Sequence, residues 1–367
     1  MIDIYHLGPL YLFFTALAAT IVGGVLTQPI LEILIKLKSR QTVSKHIPEH
    51  AAKQGTPTMG GIIIIVGFLG GMAFALFKMR DLPPTGALRF YIATGLMFVV
   101  YAAIGFVDDF VVPRMLVGKR GLGWTQKLGM QILAAMLFVG ALGRTLPLPQ
   151  AIFGVLLILC FSNAYNFSDG LDALAGSLLV AMCLGFAVIA QVRSETGLFP
   201  ILGALIGGVL PFLWVNFPPA KVFMGDVGAL PIGAVLGVVV STLVMPAWSV
   251  GLNHPDGDIG KFNNNYGLPP TTACLIAVVL VSMMMVFELV PVPLQIFSVK
   301  VFKKRIFPAT PIHHAFQRAG WPEKRIVATF LACQLGLSIV GGGLAWFTRD
   351  SAPTVLGPSS KTVHLKR

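Results

Sequence analysis

Charge is scarce in this chain. Of 367 residues only 11% are charged and 55% are hydrophobic, so the sequence cannot cover the water-facing surface that a soluble fold of this length needs. Acidic residues are the scarcer kind, 15 against 27 Lys and Arg. Cysteine is rare too. Cys160, Cys183, Cys274 and Cys333 all fall in apolar stretches, which predicts packing as small hydrophobes, without disulfides or a zinc site. No Lys or Arg precedes the first long apolar run, and that run is too long for the core of a cleaved leader, so the first span is expected to be retained. Nowhere does Gly-Lys-Ser/Thr close a Walker-type phosphate loop. Basic helices alternating with exposed aromatics are also missing, which sets nucleic acid aside as a partner.

What is present in abundance is apolar runs. A bilayer core about 30 Å thick takes roughly 20 apolar residues per helix. Stretches of about that length lie near 10–35, 59–77, 89–107, 126–143, 150–167, 171–191, 198–215, 227–249, 271–290 and 326–347. They predict an all-α polytopic membrane protein of about ten transmembrane helices. No polar stretch is long enough to bury a core of its own, so residues 1–367 are expected to form a single integral membrane domain. Lys36, Lys38, Arg40, Lys45 and Lys53 follow the first run, which places that loop in the cytosol and both termini on the extracytoplasmic side. A net charge of +12 then reads as topology plus attraction to anionic lipid and phosphate. The loop from Gly251 to Pro270, rich in Asn, Gly, Pro and Asp, reads as a plain extracytoplasmic connection.

Nearly every unusual polar residue falls at the opposite, cytosolic ends of these runs. Asp108 and Asp109 close the third run as adjacent carboxylates, where mutual repulsion and the helix dipole both disfavour them. Such a broken local rule points to function. Asn163, Asn166, Ser168, Asp169, Gly170 and Asp172 crowd the junction of the fifth and sixth runs. One acid or serine there would serve as a helix cap, and the surplus suits hydrogen bonding to the edge of a base. Asp226, which leads into the eighth run behind Phe223 and Gly225, reads either as another cap or as an oxygen ligand for a hard cation. Pro311-Ile312-His313-His314 lies in a basic loop, where two imidazoles can bind phosphate or exchange a proton. Lys53-Gln54-Gly55-Thr56-Pro57-Thr58 adds a lysine and hydroxyls to the same face.

Taken together, Thr56-Pro57-Thr58-Met59-Gly60-Gly61, Asp108-Asp109, Asn163 through Asp172, Asn216 through Gly228, and Pro311-Ile312-His313-His314 with Gly320-Trp321-Pro322-Glu323 resemble the phospho-N-acetylmuramoyl-pentapeptide transferase family. The resemblance runs from the first span to the last. It implies a ten-helix membrane transferase, commonly a homodimer, multi-pass in the bacterial cytoplasmic (inner) membrane with its active site on the cytosolic face. The implied reaction moves phospho-MurNAc-pentapeptide from UDP-MurNAc-pentapeptide to undecaprenyl phosphate with Mg2+, giving lipid I and UMP. By the same resemblance Asp226 and Asp108 are metal ligands, and Asp108, Asp109, Asp226 and His313 form the catalytic group. Asp169, Gly170 and Phe223 would hold uracil. Lys53, Thr58, Asn166, Asn216, Gln295, His313 and His314 would line the nucleotide and sugar side, with Asn163, Leu171 and Asp172 also among the substrate-binding residues.

Two positions depart from the family pattern. Ala315 stands where a third histidine is usual, and Gln317 where a glutamate is usual. The segment Phe110-Val111-Val112-Pro113-Arg114 lacks the lysines common after the acidic pair, with about one extra residue before Lys127, so no lysine there is assigned a role. Two other functions stay open on the residues alone. One is a UDP-N-acetylhexosamine:polyprenyl-phosphate transferase, which shares the aspartate motifs. The other is a transporter, against which the gathering of acids at helix ends and the lack of an internal repeat both speak.

Overall fold

In hydrocarbon a backbone must satisfy its own N–H and C=O groups, and the apolar runs do so as helices. The computed structural model describes residues 8–37, 55–80, 86–116, 119, 121–142, 146–245 and 272–349. Lys53 and the 251–270 loop lie outside the described residues.

The long helices are α1 (Gly8–Lys36), α2 (Gly61–Met79) and α3 (Gly86–Phe106). A π turn (Val107–Val111) leads from α3 into the short α4 (Val112–Met115). There follow α5 (Trp124–Ala141), α6 (Leu148–Ser168), α7 (Leu174–Val192), α8 (Phe199–Asn216) and α9 (Asp226–Val244). The chain ends in α10 (Thr272–Leu289), α11 (Pro291–Phe302), the two-turn α12 (Ile312–Arg318) and α13 (Glu323–Phe347).

Nine helical stretches among the described residues are long and apolar enough to cross a membrane. The expected span near 126–143 is present as α5, but Gln126, Lys127 and Gln131 in its first half keep it out of that set. Of these, Lys127 reaches Asp108 and Asp226, Gln131 joins α5 to α3 and α6, and Gln126 accepts the Gly123 N–H at the start of α5.

The bundle is graded from centre to rim. α9 and α8 are buried almost throughout, whereas α1 is largely exposed. α9 packs against α6, α3 and α2, and α8 against α1 and α2. Phe68 of α2 stacks on Phe98 of α3 with ring centroids 4.0 Å apart. At the rim Trp214, Phe347 and Ile339 stand 84%, 84% and 73% exposed, an apolar surface of the kind that suits lipid. Cys183 and Cys274 are buried as expected, but Cys160 and Cys333 face outward on α6 and α13, where thiols sit on the apolar rim.

Polar groups inside the bundle are used to join helices. Tyr101 Oη donates to the Gln131 carbonyl across α3 and α5 at 2.8 Å, and Asn163 Nδ2 donates to Gln131 Oε1 across α6 and α5 at 2.8 Å. The strand-like segments before α2 and α9 are also laced together. Phe223 N–H donates to the Pro57 carbonyl (2.9 Å), Gly60 N–H to Phe223 (2.7 Å) and Gly61 N–H to Met224 (3.0 Å). This ladder brings the Thr56–Gly61 motif beside the start of α9.

Candidate active site

The start of the most buried helix carries the charge. Asp226 opens α9, and its carboxylate meets those of Asp108 and Asp109, with one oxygen of each within 4.8 Å of the others. Asp108 and Asp109 do not terminate their helix as the sequence suggests. The helix instead widens into the Val107–Val111 π turn and continues to Met115. A π turn alters the angular spacing of adjacent side chains, and here both carboxylates reach α9.

Close approach makes this possible. Gly105, one turn before the acids, lies directly against the Asp226–Val227 backbone, and a Cβ there would overlap it. Gly225 sits at φ +73°, which favours glycine, and a Cβ on it would stand 2.5 Å from Asp109 Oδ2 and 2.8 Å from Thr58 Oγ1.

Every carboxylate of the cluster is held. Asp109 Oδ2 accepts the Val227 N–H at 3.1 Å and so caps α9 from a neighbouring helix. Asp108 Oδ1 accepts the Leu122 N–H at 2.7 Å. Asp226 Oδ1 accepts from Asn166 Nδ2 at 2.7 Å, and its Oδ2 pairs with Lys127 Nζ. The same ammonium lies 3.4 Å from Asp108 Oδ2. The start of α9 adds the positive end of a helix dipole, so a surplus of anions is tolerated. Lys127 is the residue that sequence reasoning left without a role. Its signal was a lone lysine within an otherwise apolar run, the kind of intramembrane charge that marks function.

The α6–α7 turn lies beside this cluster. Asp169 Oδ2 accepts the Gly225 N–H at 3.2 Å. Burial pushes the Asp169 carboxyl well above the ordinary carboxylate range, and the Asp226 charge raises it further. Gly170 faces the ring of His313, which is fully buried and 3.1 Å from Glu288 Oε2 through Nδ1. His314 Nδ1 lies 2.7 Å from Gln317 Oε1, so the Gln317 departure is in contact with the second histidine.

Thus Asp108, Asp109, Asp226, Asn166, Asp169, Gly170, Thr58 and His313 gather around one end of α9. Phe223 is half-buried on the ladder leading into it. Other expected residues face their own scaffold. Asn163 binds Gln131 and the Leu159 carbonyl, and Asn216 spans from the Ala173 N–H to the Val222 carbonyl, each at 2.8 Å. Asp172 Oδ2 accepts the Ala220 N–H at 3.1 Å, its own N–H donates to Glu323 Oε1 at 2.7 Å, and Leu171 is buried beside it. Gln295 is a loop clamp. Its Oε1 accepts the Ile306 and Phe307 N–H groups at 3.0 Å, and its Nε2 donates to the Phe307 carbonyl at 3.1 Å.

A family model described as Glycosyl transferase family 4 matches residues 91–244, from α3 through the end of α9, and so spans all three acids. A phospho-N-acetylmuramoyl-pentapeptide-transferase signature matches residues 53–65, ahead of and into α2. Among similar curated proteins is a phospho-N-acetylmuramoyl-pentapeptide-transferase of Moorella thermoacetica, 32% identical over 346 residues, covering 88% of this chain and 95% of its own length. One of the same description from Desulforamulus reducens is 33% identical, over 88% of this chain and 91% of its own. A third, from Bacillus subtilis, is 31% identical over 90% and 96%.

Proposed function

The chain belongs to the phospho-N-acetylmuramoyl-pentapeptide-transferase family, and we propose that it performs its transfer at the Asp108–Asp109–Asp226 cluster with Mg2+. The reaction takes phospho-MurNAc-pentapeptide from UDP-MurNAc-pentapeptide to undecaprenyl phosphate, giving lipid I and UMP in peptidoglycan synthesis. One observation carries the siting: three carboxylates and an ammonium meet at one end of a helix otherwise buried in apolar surroundings.

Oxygen-only donors at this spacing suit a hard cation, and Lys127 already places a positive charge among them. Asp226 and Asp108 would hold Mg2+, with Asp109 beside them. Bound there, the ion supplies charge neutralisation for the pyrophosphate. Asn166 holds Asp226 in orientation, and Lys127 brings a second positive charge to the reacting phosphates. An oxygen of the lipid phosphate attacks the β-phosphorus. The bond to the oxygen bridging to UMP breaks, UMP leaves with that electron pair, and a new P–O–P linkage joins lipid and sugar. A phosphate monoester with its second pKa near about 6 is already mostly ionised at neutral pH, so Asp108 as proton acceptor adds little beside electrostatic stabilisation.

Asp169, Gly170 and Phe223 form the uracil side in this reading, with Thr58, Lys53, His313 and His314 toward phosphate and sugar. Asn163, Leu171, Asp172, Asn216 and Gln295 support it through the backbone and helices they hold. Counting α5 gives ten spans in a single domain, with both termini outside and the cluster at the cytosolic face of a bacterial inner membrane. A homodimer is the assembly that we propose.

The test is UMP release by purified protein given undecaprenyl phosphate, UDP-MurNAc-pentapeptide and Mg2+, with Asp226→Ala and UDP-GlcNAc as controls. Metal-dependent UMP from the muramoyl substrate, lost in the variant, is the expected result. UMP from UDP-GlcNAc alone would move the chain to the hexosamine branch. A phosphorylated aspartate trapped with nucleotide alone would replace direct attack by a two-step route.

A further inference from the structure

Glu288 lies near the end of α10, one turn before Pro291, and neither it nor His313 has any exposed surface. Their Oε2 and Nδ1 atoms are 3.1 Å apart. A carboxylate facing one ring nitrogen favours the imidazole proton on that side: a neutral ring that donates Nδ1–H to Glu288 has Nε2 as its bare nitrogen. That nitrogen is buried and has no hydrogen-bond partner among the described residues, as is Glu288 Oε1. Buried polar atoms left open are rare in folded proteins and call for an explanation.

The direction of Nε2 supplies one. It points at the Asp169–Gly170 turn so closely that a Cβ on Gly170 would overlap it. Asp169 in turn is bound to Gly225, next to Asp226. An ion pair that only tied α12 to α10 would need Nδ1 alone. It would give no reason for the opposite nitrogen to face a residue without a side chain at the edge of the acidic cluster.

We infer that Glu288 is a positioning residue for the transfer. It locks His313 with Nδ1–H turned into the protein and the Nε2 lone pair turned over the Asp169–Gly170 turn. Nε2, covered by that turn in the structure, accepts a hydrogen bond from an O–H or N–H group of the incoming sugar nucleotide once the turn gives way. The ligand's identity rests on the transferase reading; the orientation and tautomer of the ring rest on the geometry alone.

The experiment uses the full chain in lipid nanodiscs with 15N-labelled histidine, above neutral pH, the His313 signals being assigned by their loss in His313→Asn. The expected spectrum shows a protonated Nδ1 and a bare Nε2. Glu288→Ala should give a mixture of tautomers and a loss of about 100-fold in kcat/KM for UMP release, whereas Glu288→Gln, which keeps an acceptor for Nδ1–H, should stay within about tenfold of the parent. His313→Gln, whose amide oxygen reaches the Nε2 position, should retain more activity than His313→Asn. A bare Nδ1 in the parent, an unchanged His313 spectrum in both Glu288 variants, or His313→Asn as active as His313→Gln would each overturn the inference. Parent protein with the fixed tautomer but no UMP release would overturn the transferase reading and leave the Glu288 assignment supported.

Discussion

The acidic cluster and the histidine corner flank the same Asp169–Gly170 turn, yet they are held in opposite ways. Around Asp226 each carboxylate has a partner on another segment: Leu122 for Asp108, Val227 for Asp109, Asn166 and Lys127 for Asp226. Around His313 two buried atoms, Nε2 and Glu288 Oε1, have none among the described residues. The first region is a closed network in which like charges are kept together by a shared cation and by backbone donors. The second leaves two buried atoms open among the described residues, one of which is the nitrogen assigned above to the substrate. A site for a highly charged substrate needs both, because charge must be assembled before the substrate arrives while orientation is completed only when it binds.

The comparison breaks most severely at its charged end. Asp226→Asn should lower UMP release by about 10³-fold or more while the protein remains monodisperse on size exclusion, and chelation of Mg2+ should reproduce that loss reversibly. Gly105→Ala should come next. Its methyl would push the start of α9 away from Asp108 and Asp109, costing about 10²-fold in kcat as expected for a misplacement of about 1 Å, with a lower midpoint in a thermal unfolding scan. Asn166→Ala should cost about tenfold and raise the Mg2+ concentration needed for half-maximal activity, since Asp226 loses its orienting partner. Gln295→Ala should be mildest. With the Ile306 and Phe307 backbone released, KM for the nucleotide should rise a few-fold at nearly constant kcat, and limited proteolysis should cut the 303–310 loop faster.

The fold was legible where it depended on composition. Helices follow from apolar runs in a medium that offers the backbone no other partner, and nine of the expected spans appear as helices fit to cross a membrane. α5 was legible as a span for the same reason, but Lys127 within it was given no role, because the loop before it departs from the family pattern. Asp108 and Asp109 stood out by breaking two local rules, yet their spacing suggested a helix end. The π turn that replaces it depends on contact with α9, which no local pattern encodes. Glu288 carried the same kind of signal as Lys127, a lone charge within an apolar run, and it too was given no role.

The sequence by itself determined the solvent of this protein, the helices that the solvent demands, and the face on which unusual polar residues collect. These depend on hydrophobicity and charge summed along the chain, and both survive without knowledge of partners. Only the tertiary structure decided which polar residues meet one another. Asn163, Asn216 and Asp172 are of the same types as Asn166 and Asp169, but they turn to backbone and helix neighbours, while the other two turn to the start of α9. A side chain's role is set by what lies within about 3 Å of it, and that distance is fixed by helix packing between residues far apart in the chain.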